Sequence, residues 1–227
     1  MIDAVLTGLT MPTSSGNLTT STVTLLGHEM GPVLFDTAAW NQRIALTGQL
    51  ALRNLAPEDV TAILLTHLHW DHCMNFDLFP NARLMIPEAE CRRVRDGGLD
   101  PATPAYILDL VRDHARAETF SSGEVLPGVH ALQTPGHTAG HMAFMVLSGE
   151  INVAITGDAL ATRSDAAAGV PSTVFGDQDS ARESAHQLMS RADVIVPGHD
   201  SPFQPTPGMP AVVNPFSHTV GEIHGQH

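Results

Sequence analysis

Short runs of apolar and β-branched residues recur over the first 36 positions and predict antiparallel strands. Three runs cover residues 4–6, 22–26 and 32–35, and turns rich in Gly, Ser or Thr separate them. This alternation of β-branched runs with turn residues is typical of strands. We therefore expect the chain to begin with a sheet.

The apolar spacing becomes helical between residues 39 and 55. Trp40, Ile44, Leu50 and Leu52 recur there at intervals close to one or two helical turns, which predicts a first helix. Apolar and polar runs then continue to alternate along the chain. They predict strands at 61–65, 83–86, 129–132, 141–147, 151–156 and 193–196, and helices at 87–95, 104–118 and 177–191.

Strands that alternate with helices indicate the α/β class. Residues 1–200 have the size of one large domain, since the chain is 227 residues long and 43% apolar. Residues 201–227 contain five prolines and no periodic apolar pattern. We interpret them as a C-terminal arm that is ordered only when a neighbour holds it, and that offers a route to an oligomer.

Charge and composition exclude several classes of partner. The formal charge of −13, from 11 cationic and 24 anionic residues, repels phosphate backbones and anionic lipids. We therefore expect a small-molecule substrate and neither nucleic acid nor membrane. The absence of a long apolar run and of a secretory leader predicts a cytoplasmic protein. Cys73 and Cys91 are too few for a disulfide framework.

Residues 61–65 lead directly into a cluster of polar side chains. The sequence His67-Leu68-His69-Trp70-Asp71-His72 follows this apolar run, so the cluster lies at the carboxyl end of a predicted buried strand. Imidazole and carboxylate are the usual ligands of zinc-like ions. A metal site is thus the first hypothesis for this segment.

Three more candidates each follow an apolar strand within a turn that contains glycine. They are His137, Asp158 and His199. Ligands at several strand ends are preorganised by a rigid sheet, and one histidine alone would more often be structural. The seven candidate ligands are His67, His69, Asp71, His72, His137, Asp158 and His199.

The seven candidate ligands, in this order and spacing, closely resemble the signature of the metallo-β-lactamase superfamily, over roughly residues 3–200. The resemblance implies an α/β fold, the αβ/βα four-layer sandwich of that superfamily. It also implies a two-metal site. The resemblance assigns one metal to His67, His69 and His137, the second to Asp71, His72 and His199, and a bridging role to Asp158.

Seven protein ligands for two ions leave coordination positions open, as in catalytic sites. Two zinc ions, with iron, manganese or cobalt as alternatives, would lower the pKa of a bridging water and generate a hydroxide nucleophile. The hydroxide would attack the substrate, and Asp71 would serve as the catalytic proton shuttle to the leaving group. His141 would support the site from behind the ligands.

Within the superfamily, the chain resembles the small acyl-homoserine lactonases in size and in residues 78–82 and 134–141. Glyoxalase II enzymes have an additional helical domain, and nucleic-acid-processing members have an inserted domain and a basic surface. The chain departs from the lactonases in two places. It has alanines at 159 and 161 where a tyrosine is expected, and Cys73-Met74-Asn75 replaces small residues.

The preferred function is hydrolysis of an ester-like C–O bond in a lactone, an ester or a related small molecule. Thioester or activated aryl ether hydrolysis uses the same nucleophile and remains an alternative. A mononuclear-iron persulfide dioxygenase and a non-catalytic assembly subunit are the others. Substrate selection depends on residues 8–22, 97–106 and 160–180. Tyr106, the only tyrosine, is expected to pack half-buried in its helix.

The metal hypothesis predicts that His67→Ala and His72→Ala each lower metal content and hydrolytic activity together, because each removes one imidazole from the ligand set. Elemental analysis of the purified variants, alongside their turnover, checks this expectation. A variant that retains full turnover without metal would contradict the site.

Overall fold

Two β-sheets and a separate hairpin contain all of the strands. The computed structural model describes residues 1–14 and 16–206, and the elements below belong to this part of the chain. The strands are β1 (Ile2–Leu6), β2 (Leu9–Thr13), β3 (Gly16–Thr20), β4 (Val23–His28), β5 (Gly31–Phe35), β6 (Ala62–Leu64), β7 (Arg83–Pro87), β8 (Ala117–Phe120), β9 (Gly123–Leu126), β10 (Val129–Gln133), β11 (Met142–Ser148), β12 (Ile151–Gly157) and β13 (Val194–Pro197).

The helices lie between these strands in sequence and outside the sheets in space. Two helices begin at capped ends, where Thr162 accepts a hydrogen bond from the Asp165 backbone N–H, and Asp177 accepts one from that of Ser180. These bonds satisfy amide groups that a helix start leaves unpaired. The helices are α1 (Arg43–Ala51), α2 (Trp70–Cys73), α3 (Glu88–Arg95), α4 (Ile107–Arg112), α5 (Arg163–Ala168) and α6 (Gln178–Arg191).

The first sheet has six strands in the order β1-β4-β5-β6-β7-β8, and the second has five in the order β13-β12-β11-β10-β9. Strands β5 to β8 pair in parallel, as do β12 and β13. Parallel pairing brings the carboxyl ends of these strands to one edge of each sheet. Loops at that edge are therefore close to one another.

Three apolar clusters define the layers. The central cluster joins the inner faces of the two sheets, where Phe35 and Phe144 approach with ring centroids 5.1 Å apart. A second cluster packs α1, α3 and α4 on the outer face of the first sheet, and a third packs α6 on the second. The predicted αβ/βα four-layer sandwich is therefore confirmed.

The first predicted helix is present, but three of the four apolar residues that predicted it are exposed. Leu46 and Leu50 are buried against the first sheet, whereas Trp40, Ile44 and Leu52 are exposed. Packing against the sheet therefore selects a different stripe of the helix from the one that the spacing suggested. Arg43 lies over the Trp40 ring at 4.8 Å and covers part of it.

The predicted helix at 104–118 is too long. Helix α4 covers only Ile107–Arg112, and residues 117–120 form β8, which pairs with β7. Backbone pairing with an existing strand edge overrides the weak helical preference there. Pro87 also ends β7 and precedes α3, instead of opening that helix as predicted.

The β2–β3 hairpin was not predicted, because its residues show neither alternation nor an apolar run. Leu9, Met11 and Leu18 are exposed, while Thr10 and Thr19 are opposite one another. The hairpin forms a two-stranded sheet of its own. It leaves β1 through Gly8, whose N–H donates to the Thr22 hydroxyl at 3.0 Å.

The first residues of the proposed C-terminal arm pack on the domain itself. Phe203 is fully buried in the third cluster, and its backbone pairs with that of Ile195. Residues 207–227 lie outside the described part of the chain. Among the helices that the structure describes, none combines the length and apolar character needed to span a membrane.

Removing the Phe203 ring should destabilise the protein by about 3–5 kcal/mol, because Phe203→Ala leaves a cavity in the third cluster. Ile44→Ala is the matched control: this side chain is 86% exposed, so the expected change is within about 0.5 kcal/mol. Chemical denaturation of both variants measures the difference. Equal stabilities would show that residues beyond His199 do not stabilise the sandwich.

Candidate metal centre

All seven candidate ligands lie at the carboxyl edge of the two sheets. His67 follows β6, His137 follows β10, Asp158 follows β12, and His199 follows β13. The short helix α2 then presents Asp71 and His72. Every one of these side chains is buried, although they come from positions up to 132 residues apart in the sequence, from 67 to 199.

The ligand atoms fall into two groups, and within each group they lie within 4.8 Å of one another. This division reproduces the two sets that the sequence resemblance implied. Asp158 falls in the first group. The first group comprises His67, His69, His137 and Asp158, and the second comprises Asp71, His72 and His199.

Asp158 lies between the two groups. Its Oδ1 is 3.3 Å from His72 Nε2 and 3.2 Å from His199 Nε2, whereas its Oδ2 is 3.3 Å from His137 Nε2. Oδ2 also lies 3.2 Å from His199 Nε2, so the Asp158 carboxylate contacts members of both groups. A bridging ligand requires this placement, and the individual ligand roles remain predictions.

Three of the histidines are oriented by side chains behind them. His72 Nδ1 donates to Asp36 at 2.8 Å, and His69 Nε2 donates to Asp100 at 3.1 Å. His67 Nδ1 lies 2.9 Å from the Thr66 hydroxyl, which itself donates to Asp36. Each bond places the ring proton on the outer nitrogen.

Backbone carbonyls orient the other two. His137 Nδ1 donates to the carbonyl of Thr173, and His199 Nδ1 donates to that of Thr20, both at 2.8 Å. Metal-binding histidines usually donate their second ring N–H in this way, because the bond fixes the tautomer. All five rings therefore direct one nitrogen lone pair into the centre.

The buried atoms of the centre fit a cation. His67 Nε2, His72 Nε2 and Asp158 Oδ1 are buried without a hydrogen-bond partner, which is costly for polar atoms. His69 Nδ1 and His137 Nε2 are also only 2.9 Å apart, although the outer bonds leave both as acceptors. Divalent ions of the zinc type would satisfy these atoms.

The electrostatics around the two histidines of the second ligand group favour positive charge. Burial lowers the pKa of His72, but the carboxylates of Asp158 and Asp36 outweigh it and raise that pKa well above its usual value. Burial raises the pKa of Asp158, yet the imidazoles of His199, His72 and His137 bring it well below the usual range. The same carboxylates that would stabilise protons on imidazoles attract metal ions.

His141 supports the centre as expected. Its Nε2 accepts the Asp158 backbone N–H at 3.1 Å, and its Nδ1 lies 2.8 Å from the Thr134 hydroxyl. Burial, followed by the neighbouring imidazole of His137, holds the pKa of His141 well below its usual value. A neutral ring is what an acceptor for the Asp158 amide requires.

Close packing requires glycine at position 198. A Cβ there would be 2.1 Å from Asp158 Oδ1, which no side chain tolerates. The glycine in this strand-end turn therefore permits the contact between the β13 loop and the central carboxylate.

A buried carboxylate that the sequence analysis missed ties the ligand loops together. Glu90 on α3 accepts the Leu68 N–H at 3.1 Å, the Thr138 hydroxyl at 2.6 Å and the Gly140 N–H at 3.1 Å. Arg93 pairs with it at 2.8 Å and reaches Asp100 at 3.1 Å. This ion-pair network links the loops of His67, His69 and His137.

Asp36, Asp100 and Glu90 were all missed. Asp36 directly follows the apolar run of β5. The pattern that indicated His137, a polar residue after an apolar strand, therefore also indicates Asp36. Asp100 lies in an irregular loop and Glu90 on a charged helix, where the sequence contains no comparable signal.

The residues that replace the lactonase pattern after His72 have structural contacts. The Cys73 thiol donates to the His69 carbonyl at 3.1 Å, and burial raises its pKa well above the usual value. Asn75 Nδ2 donates to the carbonyls of Thr37 and Ala39. The Asn75 side chain holds the motif loop against the loop after β5, whereas the Cys73 thiol bonds within the motif itself. Cys73 and Cys91 are free thiols.

The centre opens into a cavity of about 370 Å³. Its walls come from the three segments that the sequence analysis named for substrate selection. Trp70 also lines it, whereas Phe76 and Phe79 belong to the core. Tyr106 is exposed rather than half-buried and is not among the lining residues. The loop residues of the walls are Thr10, Asn17, Thr19, Pro101, Ala102, Ala161, Thr162, Pro171, Ser172, Thr173 and Phe175.

A four-layer sandwich with buried imidazoles and carboxylates at its strand ends defines a class of metal-binding proteins. The sequence profile of the Metallo-beta-lactamase superfamily matches residues 16–199, and the chain belongs to this superfamily.

Two groups of curated relatives are similar in sequence. Metallo-beta-lactamase domain-containing protein 1 of Homo sapiens is 33% identical over 190 residues, which cover 77% of this chain and 60% of that protein. An N-acyl homoserine lactonase of a Bacillus species is 29% identical over 150 residues, covering 63% of this chain and 57% of the lactonase. The chain thus spans about 60% of the length of such relatives.

Solved structures share the fold. A Thermotoga maritima protein provisionally described as a metallo-β-lactamase aligns with a TM-score of 0.72 at 23% identity, covering 89% of this chain and 98% of that one. A Bacillus thuringiensis AiiA variant with N-decanoyl-L-homoserine at its active site has a TM-score of 0.69 at 22% identity. That alignment covers 88% of this chain and 92% of the other.

The orientation of His72 provides a test. In Asp36→Asn, an amide N–H should replace the carboxylate oxygen that accepts the His72 Nδ1 proton. The proton should then move to Nε2, so that His72 Nε2 has no lone pair for a metal ion. We expect divalent-metal affinity to fall by about 10–100-fold. Competition with a chelator measures the affinity, and ¹⁵N chemical shifts of the imidazole report the tautomer.

Asp177→Asn is the matched control for this substitution, because Asp177 caps α6 and asparagine caps helices equally well. Its metal affinity should equal that of the wild type. An Asp36→Asn variant with unchanged affinity and the wild-type tautomer would contradict the orienting role of Asp36.

Proposed function

We propose that this protein is a two-metal hydrolase that cleaves an ester-like C–O bond in an uncharged small molecule, such as a lactone or an ester. The observation that carries the proposal is the pair of buried ligand groups that meet at Asp158 and open into one cavity. The similarity to proteins named N-acyl homoserine lactonase supports the choice of bond.

The residues of the centre would divide the work. The seven candidate ligands would hold two zinc-like ions, which supply Lewis acidity that lowers the pKa of water and polarises a carbonyl group. Asp71 is buried and lines the cavity. Its carboxylate is therefore placed to accept a proton and return it to the leaving oxygen.

The cavity walls favour an uncharged substrate. All eleven cationic side chains of the protein are arginines, and none of them lines the cavity. Arg163, next to the wall residue Thr162, is paired with Asp200 at 2.9 Å. Hydroxyls such as Thr10 and Ser172, with the aromatic rings of Trp70 and Phe175, suit a polar, uncharged group attached to an apolar one.

A thioester or an activated aryl ether would use the same centre. Ala161 lies in the cavity wall, close in sequence to the position where the lactonase pattern has a tyrosine. No tyrosine lines the cavity, so no phenol hydroxyl is present there. Discrimination among leaving groups would then depend on Asp71 and on the wall hydroxyls. An activity screen decides between these bonds.

The proposal is tested by loading the protein with zinc, manganese, cobalt or iron and screening lactones, aryl esters, thioesters and aryl ethers. We expect turnover that a chelator abolishes and added metal restores, with two metal ions per chain. Within a matched pair of esters, the neutral member should have the higher kcat/KM, because no arginine in the cavity wall is available to bind a carboxylate away from the metal centre.

Two outcomes would contradict this function. One iron per chain with oxygen consumption on a persulfide would replace the hydrolase with a dioxygenase. Preference for the anionic ester would refute the uncharged substrate class while leaving the hydrolase intact.

A further inference from the structure

Three successive residues at the end of the β2–β3 hairpin contact the second ligand group. The Thr19 hydroxyl donates to Asp71 Oδ2 at 3.1 Å, and the Ser21 hydroxyl donates to the Asp71 carbonyl at 2.5 Å. The Thr20 carbonyl accepts the His199 ring N–H at 2.8 Å. The hairpin therefore holds two of the three members of this group.

The bond from Thr19 reaches the carboxylate oxygen that faces the group. Asp71 Oδ2 lies 3.6 Å from His199 Nε2 and 4.0 Å from His72 Nε2. A carboxylate oxygen has two lone pairs, so one can accept from Thr19 while the other faces a cation. Thr19 thus sets the orientation of the Asp71 carboxylate.

The first ligand group is held differently. Its imidazoles are oriented by the Thr66 hydroxyl, the Asp100 carboxylate and the Thr173 carbonyl, and none of these belongs to the hairpin. Strand β2 is exposed along its whole length, so the hairpin contributes little to the core. Its contacts with the second group are therefore specific to that group.

We propose that Thr19 is a positioning residue that sets the affinity of the second ligand group, Asp71, His72 and His199, for a divalent cation. The inference rests on the proposed two-metal function. Thr19 also lines the cavity. A change in this part of the cavity wall would therefore change how strongly one of the two metal positions binds its ion.

The experiment uses Thr19→Val, which keeps the β-branched shape and removes the hydroxyl. Titration of metal-free full-length protein with Co²⁺, followed by absorption spectroscopy and chelator competition, resolves the two binding steps. We expect one binding step to lose about 10–100-fold in affinity and the other to stay within about twofold. Thr19→Ser, which restores the hydroxyl, should recover the wild-type titration.

Thr47→Val is the matched control from α1. The Thr47 hydroxyl donates to the Arg43 carbonyl at 3.2 Å, and no candidate ligand is its hydrogen-bond partner among the described contacts. Its two binding steps should remain near those of the wild type. Circular dichroism of all variants establishes that they are folded.

Each remaining outcome decides against the inference. If both binding steps are unchanged in Thr19→Val, this inference is wrong and the two-metal function stands. An equal loss of affinity at both steps would show that Thr19 does not act specifically on the second ligand group. A wild-type protein that binds no second ion would overturn this inference together with the proposed two-metal function.

Discussion

The structure depends on burying seven polar side chains at the junction of two sheets. Placing carboxylates and imidazoles in such an environment is unfavourable unless each polar atom is paired. The outer nitrogen of every ligand histidine is paired, with Asp36, Asp100, Thr66 or a backbone carbonyl. Several inner atoms, including Asp158 Oδ1, are not. Binding of cations is the change that would satisfy these atoms.

Two kinds of support hold the centre, and they come from different parts of the fold. The sheets fix the positions of the ligand backbones, and the network of Glu90 and Arg93 ties the motif loop to the loop of His137. The hairpin instead touches the second group from a two-stranded sheet of its own. The second group is thus held both by Asp36, through His72, and by the hairpin, through Asp71 and His199.

The cavity and the centre have separate origins in the chain. The ligands come from strand ends, whereas the walls come from the hairpin and from the loops before α4 and around α5. Such loops can vary without disturbing the sheets. This separation allows the residues of the walls, here with alanine at 161 and no arginine, to differ while the two ligand groups stay in place.

The amino-acid sequence by itself determined the α/β class and the candidate ligands, because apolar strands followed by His or Asp leave a local pattern, and its resemblance to the superfamily implied the four-layer sandwich. It also located the segments of the cavity wall. Asp100, Glu90, Thr19 and the exposed face of α1 were decided only by the tertiary structure. Their roles depend on contacts between residues far apart in the chain, such as Thr19 with Asp71, and on which stripe of a helix meets a sheet. No local periodicity records such contacts.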